Sequence, residues 1–320
     1  MAPRQVTVFG GSGFIGRYVV QRLAHTGDRV VVAVRHTEPA QFVRMFGDVG
    51  QVMAVPCDIT KPATVAAALR GAEAAINLVG IDRGGRARFE AVHRQGAANV
   101  AEAARAAGVK RLVHVSAIGA DPNSSSLYAR SKGQGEEAVR AAFPDATILR
   151  PSVVFGPEDN FFNRFARLAR IAPVLPLFGS GRTRFQPVYV ADVANAVLNA
   201  LLDKSARGRI YELGGPEVLT LAEIFRFVLA ATNRKRCLLP VPFLAADVVG
   251  MLSPVLHLPG RAPVITRDQA RLLRRDNVVA AGAPGLHDLG VTPTALEAIV
   301  PGYLATYRRR GASDAGARSV

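Results

Sequence analysis

The chain has no tryptophan, only two cysteines and four methionines, and far fewer acidic than basic residues. Cys57 and Cys237 stand alone, without the paired spacing of a metal site, and two thiols cannot staple a disulfide framework. A reducing compartment and a fold held by packing follow. Aromatic residues make up 7% of the chain and charged ones 20%, while 49% are hydrophobic, which excludes a disordered polyelectrolyte. No apolar run is long and unbroken enough to read as a membrane span. The chain enters its first strand almost at once, so neither signal nor transit peptide is expected. At 320 residues it can bury one large α/β domain or a large and a small one.

The shortage of acids leaves a net charge of +15, carried mostly by arginine. Arginine-rich codon usage accounts for it, or else an acidic partner surface does: anionic lipid, an acidic protein or nucleic acid. No nucleic-acid motif accompanies the charge, so no nucleic-acid partner is expected.

What is present starts at Val6-Thr-Val-Phe-Gly-Gly-Ser-Gly-Phe-Ile-Gly16. Val6 to Phe9 read as a buried strand, and Arg17 to Ala24 carry apolar residues at helical spacing. Between them the glycines fit Gly11-x-Gly13-x-x-Gly16 or Gly10-x-x-Gly13-x-x-Gly16. A strand, a glycine turn and a helix in this order suit a dinucleotide pyrophosphate, because the bare backbone comes close and the helix N-terminus offers N–H groups. Gly10, Gly11, Ser12, Gly13, Phe14, Ile15 and Gly16 are therefore the first candidate cofactor contacts.

Further strands follow at Arg29–Arg35, Gln51–Asp58, Ala74–Gly80 and Arg111–Ser116, separated by helical stretches such as Pro62–Arg70 and Phe89–Ala107. The alternation predicts a Rossmann-type, doubly wound parallel sheet, with chemistry at the carboxyl ends of its strands. Arg35, 19 residues beyond Gly16, stands where an NAD enzyme usually places an acid on the ribose. An arginine there pairs with a 2′-phosphate, with His36 as helper, so NADP(H) is expected over NAD(H). Asp58, with Ile59 beside it, is placed near the adenine, or else Asp58 caps the next segment. Leu78, Val79 and Gly80 close the fourth strand where ribose and nicotinamide must pass.

Ser116 ends the fifth strand, and Tyr128-Ala-Arg-Ser-Lys132 follows. Tyrosine and lysine four apart share a helix face, and an ammonium beside a phenol favours phenolate, the form of a general base. The same lysine can hold the nicotinamide ribose.

The glycine turn, Asp58, Asn77-Leu-Val-Gly80 and Tyr128-x-x-x-Lys132 together resemble the extended or atypical short-chain dehydrogenase/reductase superfamily. More narrowly, Val113–Ala120, Ser124–Lys132, Leu149–Asn163, Phe185–Val193 and Thr266–Val278 are similar to the nucleotide-binding accessory subunit of respiratory complex I and its bacterial relatives. The resemblance implies that Val115 and Pro151 also line the cofactor. It implies complex I subunits as partners, and a place in the cytoplasm or on the cytoplasmic face of the inner membrane. It further implies a serine or threonine beside the tyrosine. Strand register puts that residue at Ala117, which breaks the catalytic set; a strand end shifted by one makes it Ser116. Loss of such a donor costs about 2–4 kcal/mol of transition-state stabilisation. Two functions are therefore carried forward. One is an NADP(H)-binding, non-catalytic accessory subunit. The other is an active reductase, epimerase or dehydratase that uses Tyr128, Lys132 and Ser116.

A smaller, discontinuous C-terminal α/β domain is expected from 157–186 and 217–307, with 1–156 and 187–216 in the large domain and 308–320 as a disordered basic tail. Asn160–Ala172 reads as a helix, with breaks at Pro173 and Pro176, and Thr220-Leu-Ala-Glu223 has the form of a capping box. Phe178–Arg184 is a solvated loop or an anion contact. The apolar stretch Leu238–Leu258 is core of the small domain or a docking surface, and the basic helix Arg267–Arg275 beside it suits an anionic lipid or an acidic subunit.

Overall fold

A computed structural model describes residues 3–243 and 267–308. The apolar stretch beyond Phe243 and the tail beyond Arg308 lie outside the described residues. The chain divides into two compact units, the first comprising Met1–Ser152, Val190–Gly214 and Val279–Pro293, and the second Val153–Tyr189, Gly215–Val278 and Thr294–Val320.

In the first unit the strands are β1 (Gln5–Phe9), β2 (Arg29–Val34), β3 (Val52–Pro56), β4 (Ala74–Asn77), β5 (Arg111–Val115), β6 (Thr147–Pro151) and β11 (Ile210–Leu213). They form one seven-stranded sheet in the order β11-β6-β5-β4-β1-β2-β3, with every pairing parallel. The strand order reverses between β1 and β4, the point at which doubly wound sheets open a crevice at their carboxyl ends. Val6, Val8, Val32, Ile76, Val113 and Ile148 are fully or almost fully buried, as strands covered on both faces require.

The helices α1 (Phe14–His25) and α7 (Val190–Leu202) pack against each other. On the opposite face lie α2 (Pro62–Ala68), α4 (Gly96–Ala106) and α5 (Leu127–Ala142), which share a core cluster with Leu112, Phe9 and Ala75. The expected helix from Phe89 is not uniform: α3 (Arg86–Phe89) runs into a π-helical turn, Glu90–Gln95, before α4.

An ion-pair network ties α5 to the sheet. Arg150 on β6 donates to both carboxylate oxygens of Glu136, at 2.9 and 2.6 Å, and reaches Glu212 of β11 at 3.5 Å. Glu212 also accepts from the Ala280 N–H, and its own N–H donates to Pro284 C=O. The segment 279–293 thereby lies along β11, an outer strand of the sheet, and Asn199 of α7 holds it further by donating to Leu289 C=O at 2.7 Å.

The second unit is built on α6 (Phe162–Ile171), α8 (Leu221–Ala231) and the helix Leu296–Leu304, packed around Phe155, Phe162, Phe185 and Phe225. The Thr220–Glu223 capping box is formed as expected. Buried Asp159 accepts from the Tyr303 hydroxyl at 2.6 Å and from the N–H groups of Phe161 and Asn163 at the start of α6. Pro176 does not break the chain: it lies inside β8 (Val174–Phe178), which pairs in parallel with β13 (Cys237–Val241). Each strand of a two-stranded sheet has an unpaired edge, where a proline forfeits no ladder bond.

Arg150→Met would leave the buried Glu136 carboxylate without its partner. Urea unfolding should show a loss of about 3–5 kcal/mol, and the Glu136→Gln/Arg150→Met double variant less than the sum of its parts.

Candidate functional site

The turn after β1 is folded onto itself. Gly10 adopts φ +77°, in the left-handed region, and its carbonyl accepts from the Gly13 N–H at 3.0 Å. A Cβ on Gly16 would overlap the Gly10 carbonyl oxygen and lie 2.6 Å from Gly11 Cα, so no larger residue fits where α1 meets the turn. A Cβ on Gly11 would press on the side chains of Val8, Val20 and Val32. Gly13, by contrast, faces open space apart from its own turn. Gly13 is the N-cap of α1, no side chain caps it, and the first turn carries no acid. The helix thus presents an uncapped positive end. Gly13 is exposed in the turn, while Ser12, Phe14 and Ile15 are half-buried.

The crevice continues across the switch point. A Cβ on Gly10 would touch Val79 Cγ2 at 3.2 Å, and the Leu78 N–H donates to Phe9 C=O. Buried Asn77 fixes this strand end by accepting from the Val79 N–H at 3.1 Å and pairing its amide with His114 Nδ1 at 3.2 Å. Gly80 lies against the Lys132 ammonium, 3.2 Å from where its Cβ would stand.

At the ends of β2 and β3, Arg35 and His36 are exposed. The Asp58 carboxylate accepts from the Thr60 N–H and hydroxyl at 3.0 and 2.8 Å, and these bonds, with Lys61 and Arg35 nearby, hold it below the usual carboxylate range. Asp58 thus organises its own loop while facing Arg35. Ile59 is buried against Gly96, and its carbonyl accepts from Asn99. Pro151 is buried in β6, and its carbonyl accepts from the Ile118 N–H.

Tyr128 and Lys132 sit on α5, which Ser126 caps by accepting from the Ala129 N–H. Lys132 is 5% exposed and donates to Val115 C=O at 3.3 Å; burial pulls its ammonium down to about 8, against a partial counter-effect of Glu136. The Tyr128 phenol moves opposite to the expectation from its spacing. Burial pushes it up to about 12, with Asp82 adding to the effect, and the Lys132 ammonium does not offset this. The reason is steric: Tyr128 packs edge-on against Phe89 and His93, with ring centres 6.1 and 5.6 Å away, while Lys132 turns to Val115 and Gly80.

The β5–β6 ladder continues past Val115, with the Ser116 N–H donating to Leu149 C=O and the Ile118 N–H to Pro151 C=O. Alternation along it places Ser116, not Ala117, on the face of Leu112 and His114, which is the face α5 covers. Ser116 Oγ is buried, with no hydrogen-bond partner among the described residues.

His93 was not found from the sequence, where Phe89–Ala107 reads as an ordinary helix. It stands in the π-helical turn, accepts the Ile81 N–H on Nε2 at 3.0 Å and meets Ser131 Oγ with Nδ1 at 2.8 Å. Ser131 donates to Tyr128 C=O at 2.9 Å, so its oxygen accepts from Nδ1–H and the imidazole is neutral. Burial and the Lys132 charge push it down to about 3. One side chain therefore joins the loop after β4 to the turn of α5 that carries Tyr128. The only signal in the sequence was a histidine four residues after an aromatic, downstream of a glycine-ended strand.

The profile of the NAD dependent epimerase/dehydratase family matches residues 6–214. The chain is 37% identical over 294 residues to NADH dehydrogenase (ubiquinone) 1 alpha subcomplex subunit 9, mitochondrial, of Mus musculus, covering 91% of this chain and 77% of that one. It is 38% identical over 190 residues to a ceramide reductase of Caulobacter vibrioides, covering 59% and 58%. The NADPH complex of an NADPH-dependent quinone oxidoreductase from Escherichia coli superposes with a TM-score of 0.74 at 21% identity, over 93% of this chain and 99% of that one.

Buried His93 and His114, both near 3, exclude protons that the unfolded chain binds below 6.5. Stability should therefore fall as pH drops through that window. Between pH 7 and pH 5 the wild type should lose about 2 kcal/mol more than His93→Gln, measured by urea unfolding at each pH.

Proposed function

This chain belongs to the NAD dependent epimerase/dehydratase family, and we propose that it serves as an NADP(H)-binding accessory subunit of respiratory complex I, holding the dinucleotide without turning it over. The observation that carries the reading is likeness across 91% of the chain to a mitochondrial subunit of that complex. The site supports a holding role: Lys132 is committed to Val115 and Gly80, and the Tyr128 phenol stays protonated at neutral pH.

The pyrophosphate fits the open backbone at Gly13 and the uncapped start of α1, where an added atom meets nothing but the Gly10 carbonyl oxygen, at 3.2 Å. Arg35 and His36, exposed at the end of β2, supply the cations for a 2′-phosphate, and Asp58 keeps Arg35 at that edge. Leu78, Val79 and Gly80 floor the crevice, and Lys132 donates to the nicotinamide ribose. Ile59, Val115 and Pro151 give the crevice its apolar wall. When bound, the dinucleotide supplies a hydride donor or acceptor. Among the described residues no helix is long and apolar enough to cross a membrane. In this reading the chain attaches to the complex at the cytoplasmic face of the inner membrane.

A second reading, an active NADP-dependent reductase, is favoured by one observation: the buried Ser116 hydroxyl is unpartnered on the α5 side of the sheet. Its Oγ–H would donate to a substrate carbonyl beside Tyr128, which as general acid would give up its phenolic proton. Lys132 would then stabilise the phenolate.

Affinity purification from detergent-solubilised membranes should recover the chain with complex I subunits; recovery as a free soluble protein sinks the first reading. Arg35→Ala should weaken NADPH binding about tenfold and leave NADH binding nearly unchanged, read by fluorescence titration. A steady NADPH oxidation with small ketones that Ser116→Ala abolishes would establish the second reading.

A further inference from the structure

The second unit carries an apolar face that its own core does not use. In the β8–β13 pair, Leu175 and Leu177 point inward and are buried. The alternate residues stand side by side on the other face: Val174 beside Cys237, Pro176 beside Leu239, and Phe178 beside Val241. Phe178 packs with Ala270 and Leu273, which closes that end of the face. The opposite end stays open, with Val174 41% and Leu239 53% exposed, and Ile171, at the last position of α6, 76% exposed.

The two stretches that build this outcrop carry charge of one sign. The stretches 162–178 and 233–241, which build it, contain six arginine and lysine residues and no acidic one. Arg167 and Arg170 are exposed on α6, whose buried residues include Phe162, Ala166 and Ala169, and Lys235 is exposed in front of β13. Arg236 draws the two parts together by donating from Nε to Ala169 C=O at 2.8 Å.

We infer that this face docks on an anionic lipid bilayer, with Ile171, Val174 and Leu239 entering the headgroup boundary and Arg167, Arg170 and Lys235 meeting lipid phosphates. Protein–protein interface cores are enriched in aromatic residues, methionine and arginine; the exposed apolar residues of this face are aliphatic, and its arginines stand beside a lysine, a residue such interfaces disfavour. Protruding aliphatic side chains accompanied by cations, with no acid in the stretches that carry them, are what an interfacial membrane anchor requires. The inference stands apart from the complex I reading, since it needs only lipid.

The test is co-sedimentation of the full chain with phosphatidylcholine vesicles and with vesicles containing phosphatidylglycerol. The wild type should pellet with the anionic vesicles only, less so as salt rises. Ile171→Ser/Leu239→Ser keeps the net charge and should weaken anionic-vesicle binding about tenfold. Arg167→Gln/Arg170→Gln/Lys235→Gln should weaken it at least as much. Met45→Ser/Met53→Ser, which alters exposed apolar residues of the first unit, should bind as wild type does. Melting curves of all variants confirm folding. Failure of the wild type to pellet overturns the proposal. So does unchanged binding by the serine pair, which would mean that bulk positive charge alone attracts lipid. Binding to an acidic protein partner in place of vesicles overturns it too.

Discussion

The contact that everything at the carboxyl edge depends on is the one between Gly16 and the backbone of Gly10 and Gly11. It is closer than any side chain permits, and it brings the first turn of α1 down onto the end of β1. Only then does the helix's uncapped positive end stand at the point where strand order reverses, between β1 and β4. The rest of the crevice is arranged to that origin. Gly10 meets Val79, Gly80 meets Lys132, and Lys132 reaches back to Val115 at the end of the next strand over.

Within that frame the titratable groups are drawn in opposite directions by one cause. Burial raises the Tyr128 phenol and lowers the Lys132 ammonium, so each is pressed towards its neutral form. Near pH 7 the phenol and the two imidazoles are neutral while Lys132, at about 8, keeps its ammonium, so a single cation faces the crevice among neutral partners. Ser116 stands as the exception, a hydroxyl with nothing to bond among the described residues. The two functional readings divide over that oxygen: a relic of a shared architecture, or a donor kept for a substrate.

Much of this was legible in the sequence because it is periodic or local. Apolar strands such as Val30–Val34, the glycine turn and the Thr220–Glu223 capping box declare themselves within a few residues. What escaped is what distance along the chain conceals. The Tyr128–Lys132 spacing is right for two side chains on one helix face, yet packing against Phe89 and His93 reversed the effect on the phenol. The π-helical turn that aims His93 has no local signature, and Pro176 looked like a break because its two-stranded sheet is formed with a strand some sixty residues later. The side of the sheet on which Ser116 stands shows only in the ladder to β6, whose pairing no single strand encodes.

The segment 279–293, bonded along β11, has a consequence for biogenesis. The last piece of the first unit, Val279–Pro293, is translated after two of the three segments of the second unit, Val153–Tyr189 and Gly215–Val278. Until then the outer edge of its sheet lacks the Pro284 carbonyl that receives the Glu212 N–H. Bare strand edges recruit other strands. Between the synthesis of β11 and that of Pro284 the nascent chain therefore carries an open edge, and a truncated product ending before Val279 never closes it.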